Sequence, residues 1–198
     1  MSSGNYLIRE YPLQQGALEI AYIEEYFREW PEPKTGTEIL QRLEGREYQI
    51  LMAEAALPDD PTTIVPVSYK VSHELRAEES DPKLFDLVER LRDTLNFDDQ
   101  KVLYNWLGAT RKDWRGQGHF RALTEEQEVW AVTQGYGEVV VKTKNRYFDV
   151  RGTLDSLQFN VVKLEPSPDP LESKVYLSKR LGPFVLDAHR SSRQVTRA

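Results

Sequence analysis

Apolar and polar residues along this chain form seven stretches with the periodicity or length of β-strands. Alternation marks the first and the third stretches. The other five are short and largely apolar, and turn residues or predicted helices bound them. The seven stretches lie at residues 6–11, 48–55, 62–74, 101–109, 138–143, 159–164 and 174–178.

Apolar residues at helical spacing predict five helices between these strands. Asp81 offers an N-cap and Pro82 a first helical residue for the third helix, which lies between the third and fourth strands. Gly135 ends the fourth. This order of elements indicates an α/β or α+β fold with a mixed sheet. The five helices cover residues 17–30, 37–43, 82–95, 118–134 and 146–157.

Length and composition indicate a folded domain. The chain has 198 residues, of which 39% are hydrophobic and 29% charged. These values are ordinary for one globular domain with a sizeable core. We therefore expect a single domain over residues 1–185, followed by a flexible basic tail at residues 186–198, where apolar residues are few.

Several classes of chemistry and partner are disfavoured. The chain has no cysteine, and its three histidines show no metal-ligand spacing, so we expect no metal. A net charge of −6 argues against nucleic acid as a partner. No stretch has the length of a membrane helix or the pattern of a signal peptide, so we expect a cytoplasmic location and no membrane contact.

The segment WLGATRKDWRGQGHFRAL, residues 106–123, joins a predicted buried strand to a basic loop with glycines and a helix start. Unpaired backbone N–H groups at a helix N-terminus attract anions, and glycines let those groups approach a phosphate closely. The dinucleotide-binding fingerprint fails here because Arg121 stands at its third glycine, and the chain has no Gly-Lys-Ser or Gly-Lys-Thr. The loop is therefore interpreted as a different anion site.

The loop RGQGHF resembles the R/Q-x-x-G-x-G/A signature of the GNAT (Gcn5-related N-acetyltransferase) superfamily, which holds the pyrophosphate of coenzyme A. Arg115 and Gly118 match, and Phe120 replaces the small last residue. Asn145 takes the position of the asparagine at the end of the family's next strand. Gln158 and Phe159 stand where the family has a Gly-Phe pair.

This resemblance implies a mostly antiparallel central sheet of about seven strands flanked by helices, here with an extra helix between the third and fourth strands. It also implies acetyl-CoA or another acyl-CoA as co-substrate, and a small-molecule or peptide amine as acceptor, in a monomer or homodimer. The resemblance further implies that the amine attacks the thioester directly. The residues implied to bind the co-substrate are Gly108, Ala109, Thr110, Arg115, Gly116, Gln117, Gly118, His119, Phe120 and Asn145.

The catalytic residues are less well defined by the resemblance. The tyrosine that many family members use to protonate the leaving thiolate falls here at Leu154, so Tyr147 is the substitute candidate. For the general base the candidates are Tyr104 and Asp99, with Asp98, Glu74 and Asn105 as alternatives. His119 is interpreted as a backbone amide donor. Three functional alternatives stay open: an acyl-CoA-binding module without turnover, a long-chain acyltransferase acting on a peptide or side-chain amine, and a structural or interaction protein unrelated to coenzyme A.

Overall fold

The structure is a computed structural model that describes residues 6–12, 18–26 and 34–195. Within these residues it has seven strands and six α-helices. The strands are β1 (Tyr6–Glu10), β2 (Tyr48–Leu57), β3 (Asp60–Leu75), β4 (Lys101–Thr110), β5 (Tyr136–Lys144), β6 (Asn160–Glu165) and β7 (Lys174–Arg180). The helices are α1 (Leu18–Tyr26), α2 (Gly36–Leu43), α3 (Pro82–Leu91), α4 (His119–Thr133), α5 (Phe148–Ser156) and α6 (Pro183–Val195).

The strands form one mixed sheet in the order β1-β2-β3-β4-β5-β7-β6. Strands β4 and β5 run parallel, whereas the pairs β1–β2, β2–β3, β5–β7 and β6–β7 are antiparallel. The parallel pair needs a crossover, and α4 with the loop before it supplies this connection. The predicted fold class is confirmed, including the helix α3 between the third and fourth strands.

Residue contacts divide the chain into two compact units. The first holds the described residues up to His73 together with Trp106–Thr124. Its strand β2 is apolar on both faces because both are covered: Ile50 and Met52 pack with residues of α1 and α2, while Leu51 and Ala53 pack with Leu123 of α4. A doubly buried strand is expected to lose the alternation of polar and apolar residues.

The second unit holds Glu74–Asn105 and the chain from Glu125 onward. Here α3 begins as predicted: Asp81 Oδ1 accepts the backbone N–H groups of Lys83 at 2.8 Å and Leu84 at 3.1 Å, and Pro82 is the first helical residue. The helix then buries one stripe of side chains. The buried residues of α3 are Leu84, Leu87, Val88 and Leu91.

Two sequence predictions need correction, and a third concerns residues that the structure does not describe. The tail predicted from residue 186 is helical up to Val195, because α6 turns Val185 and His189 inward on one face; this helix was missed. Helix α5 starts at Phe148, two residues later than predicted. The predicted end of the first helix, with Phe27 and Trp30, lies outside the described residues. The single domain over residues 1–185 stays a prediction.

Candidate functional site

The basic glycine loop lies between β4 and α4 in the first unit. After Thr110 the chain makes a short 3-10 turn at Lys112–Trp114, and Arg115 is then extended. Gly116 and Gly118 have φ angles of +77° and +83°, a left-handed conformation that residues with a Cβ adopt only at a cost. Gly118 accepts the N–H of Ala122 at 3.0 Å, so it stands directly before the first turn of α4.

The two glycines leave open space at the start of α4. A Cβ built on Gly116 or Gly118 would have no atom within 4 Å, so a ligand can approach the backbone there. The first N–H groups of an α-helix have no partner within the helix, and the helix dipole is positive at this end. The loop therefore has the geometry of a phosphate site, and the residues present fit the pyrophosphate of coenzyme A.

Arg115 is fixed beside these amides. Its Nε donates to the carbonyl oxygen of Thr110, the last residue of β4, at 3.2 Å. The side chain is exposed. Arg111, by contrast, is engaged with the carboxylate of Asp113 at 3.0 Å. The loop thus presents one arginine that is oriented by a backbone oxygen and adds positive charge next to the helix start.

The large residue at the position where the family has a small one has a structural explanation. The aromatic ring of Phe120 lies over the ammonium group of Lys70, with Nζ at 4.5 Å from the ring centroid. The ring thereby packs onto β3, and the backbone amide of Phe120 remains in the first turn of α4. Phenylalanine at this position is therefore compatible with an anion site built from backbone groups.

The ring of His119 is buried and is no candidate for proton transfer at the loop. It is 2% exposed and lies edge-on to Tyr6 at 4.4 Å between centroids, with Trp114 at 6.1 Å. Burial lowers the pKa of His119, so the neutral imidazole is favoured. Its backbone N–H lies in the first turn of α4, and its role in binding a ligand stays a prediction.

The end of β4 has little room for a side chain at position 108. A Cβ on Gly108 would lie 3.1 Å from Cγ of Lys70 and 3.3 Å from the carbonyl oxygen of Tyr69. Next to it, the hydroxyl of Ser68 donates to the carbonyl oxygen of Ala109 at 3.0 Å. The β4–β5 register runs from Lys101–Tyr136 to Asn105–Val141, whereas β4 itself continues to Thr110. The predicted role of residues 108–110 in binding pantetheine stays a prediction.

Asn145 is held by its own neighbours in the second unit. Its backbone N–H donates to the carbonyl oxygen of Ser173 at 2.9 Å, its Nδ2 donates to that of Pro170 at 3.1 Å, and its Oδ1 accepts from Arg151. It does not cap α5, because the N-cap residue is Tyr147. The structure thus gives Asn145 a role in shaping the turn after β5, and its contact with a co-substrate stays a prediction.

The three catalytic candidates occupy different places. Tyr104 is a buried residue of β4, at 7% exposure. Asp99 is exposed in the turn before β4 and accepts a hydrogen bond from Asn96 Nδ2 at 2.8 Å. Tyr147 stands before the first residue of α5, and Leu154 of that helix is fully buried. Asp99 therefore precedes the amino end of β4, whereas the glycine loop follows its carboxyl end.

Sequence reasoning missed Lys70 altogether. This lysine lies on β3 at 1% exposure and is among the largest fully buried side chains. In the sequence it follows Tyr69 within an alternating strand and is indistinguishable from a solvent-facing lysine. Only the helix packed above β3 reveals its burial.

The described residues contain no group of three or more histidine and acidic side chains arranged to hold a metal ion. None of the helices seen in residues 6–12, 18–26 and 34–195 combines the length and the hydropathy that a membrane-spanning helix requires.

Comparison with known proteins gives a match at the level of structure. No family model and no curated protein sequence matches the chain. The structure is similar to NAA60 of Arabidopsis thaliana in complex with a bisubstrate analogue, with a TM-score of 0.67, 12% identity, and coverage of 89% of this chain and 99% of the other. It is also similar to the ribosomal-protein-S18-alanine N-acetyltransferase of Escherichia coli, with a TM-score of 0.58, 14% identity, and coverage of 89% and 95%.

A third similar structure is a GNAT phosphinothricin acetyltransferase of Sinorhizobium meliloti in complex with acetyl-CoA. Its TM-score is 0.61, its identity 14%, and the match covers 89% of each chain. Agreement over nearly the whole of both chains in all three comparisons shows that this protein has the fold of the GNAT acetyltransferases.

Proposed function

We propose that this protein is an acyl-CoA-dependent N-acyltransferase, which most simply transfers acetyl from acetyl-CoA to a primary amine. The observation that carries the proposal is the open backbone at Gly116 and Gly118, directly before α4 and next to Arg115. Helix starts of this kind bind phosphate groups. The fold supports the assignment, because the phosphinothricin acetyltransferase of the same fold holds acetyl-CoA.

The chain's own residues suit this co-substrate. Backbone N–H groups of residues 116–120 hold the pyrophosphate, and Arg115 adds a charged donor. The backbone of residues 108–110, at the end of β4, pairs with the pantetheine arm. Asn145 is the remaining residue proposed to contact it, from the turn after β5.

The reaction needs two proton movements and one acyl transfer. The neutral amine nitrogen forms a bond to the thioester carbonyl carbon, and backbone N–H groups near residues 107–109 stabilise the oxyanion. The carbon–sulfur bond then breaks, so that an amide and the thiolate of coenzyme A result. The nitrogen loses a proton to a base, and the thiolate gains one from an acid.

We assign Tyr104 as the first candidate base, since it lies on β4, the strand that leads to the loop. Asp99 is the second candidate. Tyr147 is the candidate acid because Leu154 cannot supply a proton. The substitutions Tyr104→Phe, Asp99→Asn and Tyr147→Phe test this assignment. Loss of the true base is expected to lower kcat about 100-fold and to change its pH profile; a variant with the wild-type profile removes its residue from consideration.

The acceptor is proposed to be a small-molecule or peptide amine. Two alternative functions differ from this proposal, one in the absence of turnover and the other in the length of the acyl chain. The leucine at position 154 favours an acyl-CoA-binding module without turnover, because it replaces the usual acid. The other alternative is a long-chain acyltransferase acting on a peptide or side-chain amine. Release of free thiol from acyl-CoA in the presence of a panel of amines separates the enzyme from the binding module.

The first experiment is calorimetric titration with acetyl-CoA and with a long-chain acyl-CoA. Arg115→Ala is expected to weaken binding about tenfold, through loss of a charge-assisted contact. Gly118→Ala is expected to weaken it further because the new Cβ fills the approach to the amides.

The matched control for Gly118→Ala is Gly45→Ala. Gly45 also has a positive φ, of +66°, with no atom within 4 Å of a built Cβ, but it follows α2. Both substitutions introduce a similar backbone strain, so only a loss confined to Gly118→Ala supports the site. Absence of binding of either acyl-CoA to the wild-type protein contradicts the proposed function.

A further inference from the structure

Lys70 is buried beneath the first turn of α4. Its Nζ donates to the hydroxyl of Thr124 at 2.6 Å, and that hydroxyl donates in turn to the carbonyl oxygen of Phe120 at 2.7 Å. The same ammonium lies 4.5 Å from the centroid of the Phe120 ring. Phe120 is the second residue of α4, so the lysine contacts the ring of this residue directly and its carbonyl oxygen through Thr124.

The space for this lysine is made by Gly108. Any larger residue there would press on Cγ of Lys70, which lies 3.1 Å from the position of a Cβ. Removing an ammonium group from water costs several kcal/mol unless its surroundings compensate. A methionine or leucine would fill the same place but could not donate to Thr124, so the lysine contributes more than packing.

We propose that Lys70 is a positioning residue for the phosphate groups of the acyl-CoA co-substrate. It holds the first turn of α4 through Thr124 and adds a buried positive charge below the backbone amides of the glycine loop. This inference rests on the proposed function, but it concerns a residue that does not touch the co-substrate.

The charge and the hydrogen-bond relay act in the same direction. A buried charge is screened less by solvent and salt than an exposed one, so it raises the potential at a nearby anion site more strongly. The relay fixes the carbonyl of Phe120 and with it the orientation of the first helical turn. The helix dipole has the same sign at this end, so the two contributions add.

The test compares Lys70→Met, which removes the charge but keeps the length, with wild-type protein. We expect a Kd for coenzyme A about tenfold higher, equivalent to about 1.4 kcal/mol. In turnover, KM for acetyl-CoA is expected to rise about as much, while kcat stays within about twofold. With S-acetylpantetheine, which lacks the nucleotide phosphates, kcat/KM is expected to be unchanged.

Lys101→Met is the matched control. Lys101 starts β4, lies 4.4 Å from the ring centroid of Tyr136 and donates to the carbonyl oxygen of Gln134 at 3.1 Å. Lys101 thus makes the same kinds of contact as Lys70, but it lies at the start of β4 and not under α4. Its loss is expected to leave the affinity for coenzyme A unchanged. An equal loss in both variants overturns the inference, since it would reflect net charge alone.

Two further variants keep the test decisive. Thr124→Val removes the relay and keeps the lysine, and we expect about threefold weaker binding of coenzyme A; Lys70→Arg keeps the charge and is expected to bind better than Lys70→Met. If Lys70→Met does not fold, unchanged affinity in Thr124→Val overturns the inference. If the wild-type protein does not bind coenzyme A, the proposed function fails; if it binds but a folded Lys70→Met binds equally well, only the role of Lys70 fails.

Discussion

The backbone N–H of Phe159 donates to the carbonyl oxygen of Leu154 at 3.0 Å, and this bond closes helix α5. Gln158, between them in the chain, donates to Asp155 at 2.8 Å and has a φ of +67°. These two bonds are those of a Schellman motif, in which glycine is the usual residue at the left-handed position. The backbone conformation at position 158 thus favours glycine, the residue that the GNAT pattern has there.

Replacing Gln158 by glycine should stabilise the protein. The left-handed conformation costs a residue with a Cβ about 1 kcal/mol or more, and glycine adopts it without that strain. We expect the free energy of unfolding of Gln158→Gly to rise by about 1 kcal/mol in urea denaturation. The opposite change, Gly135→Ala, introduces a Cβ at a φ of +79° with open space around it and should lower stability by a similar amount. Equal stability of Gln158→Gly and wild type would show that the turn tolerates glutamine without strain.

Loss of the Asp81 cap should weaken α3. Its carboxylate accepts two backbone N–H groups at the helix start. Asp81→Ala leaves those groups without their side-chain partner and is expected to cost about 1 kcal/mol of unfolding free energy. Asp81→Asn keeps an oxygen acceptor and serves as the control. A loss of the same size in both variants would assign the effect to charge and contradict capping.

Stability should depend on pH through His119. Burial lowers its pKa in the folded protein, whereas in the unfolded chain the pKa is about 6.5. The unfolded state therefore binds more protons below this value, and stability is lost as pH falls from about 6.5 toward the folded-state pKa. His119→Gln, which keeps the backbone amide, should show a shallower decline in thermal midpoint between about pH 7 and pH 5. Parallel declines in the two proteins would remove His119 as the cause.

Neutralising Glu128 should destabilise the second unit. This carboxylate of α4 is 1% exposed and accepts from Lys179 Nζ at 2.7 Å, with His189 Nε2 at 3.3 Å. Glu128→Gln leaves a buried ammonium without its anion and is expected to cost about 3 kcal/mol. The exposed pair Arg92–Glu89 offers a contrast at 2.8 Å, and Glu89→Gln should cost less than about 0.5 kcal/mol. Both changes in unfolding free energy are measured by chemical denaturation. A loss at Glu128→Gln no larger than that at Glu89→Gln would contradict the prediction and would mean that Lys179 finds another partner.

Much of the fold followed from local patterns. All seven predicted strands exist, because alternation and apolar runs report burial within one element directly. The cap at Asp81 and the glycine before α4 could be predicted from the sequence for the same reason. Each acts on backbone groups only a few residues away. Helix α6 was missed because its sequence is mostly polar, and its burial depends on a few residues such as Val185.

The elements, their order and the glycine loop before α4 follow from the sequence alone, since these depend on spacing along the chain. The tertiary structure decided which side chains are removed from water. It buried Lys70 under α4 and turned the ring of Phe120 onto that lysine. These contacts join residues that are distant in sequence, so no local pattern encodes them.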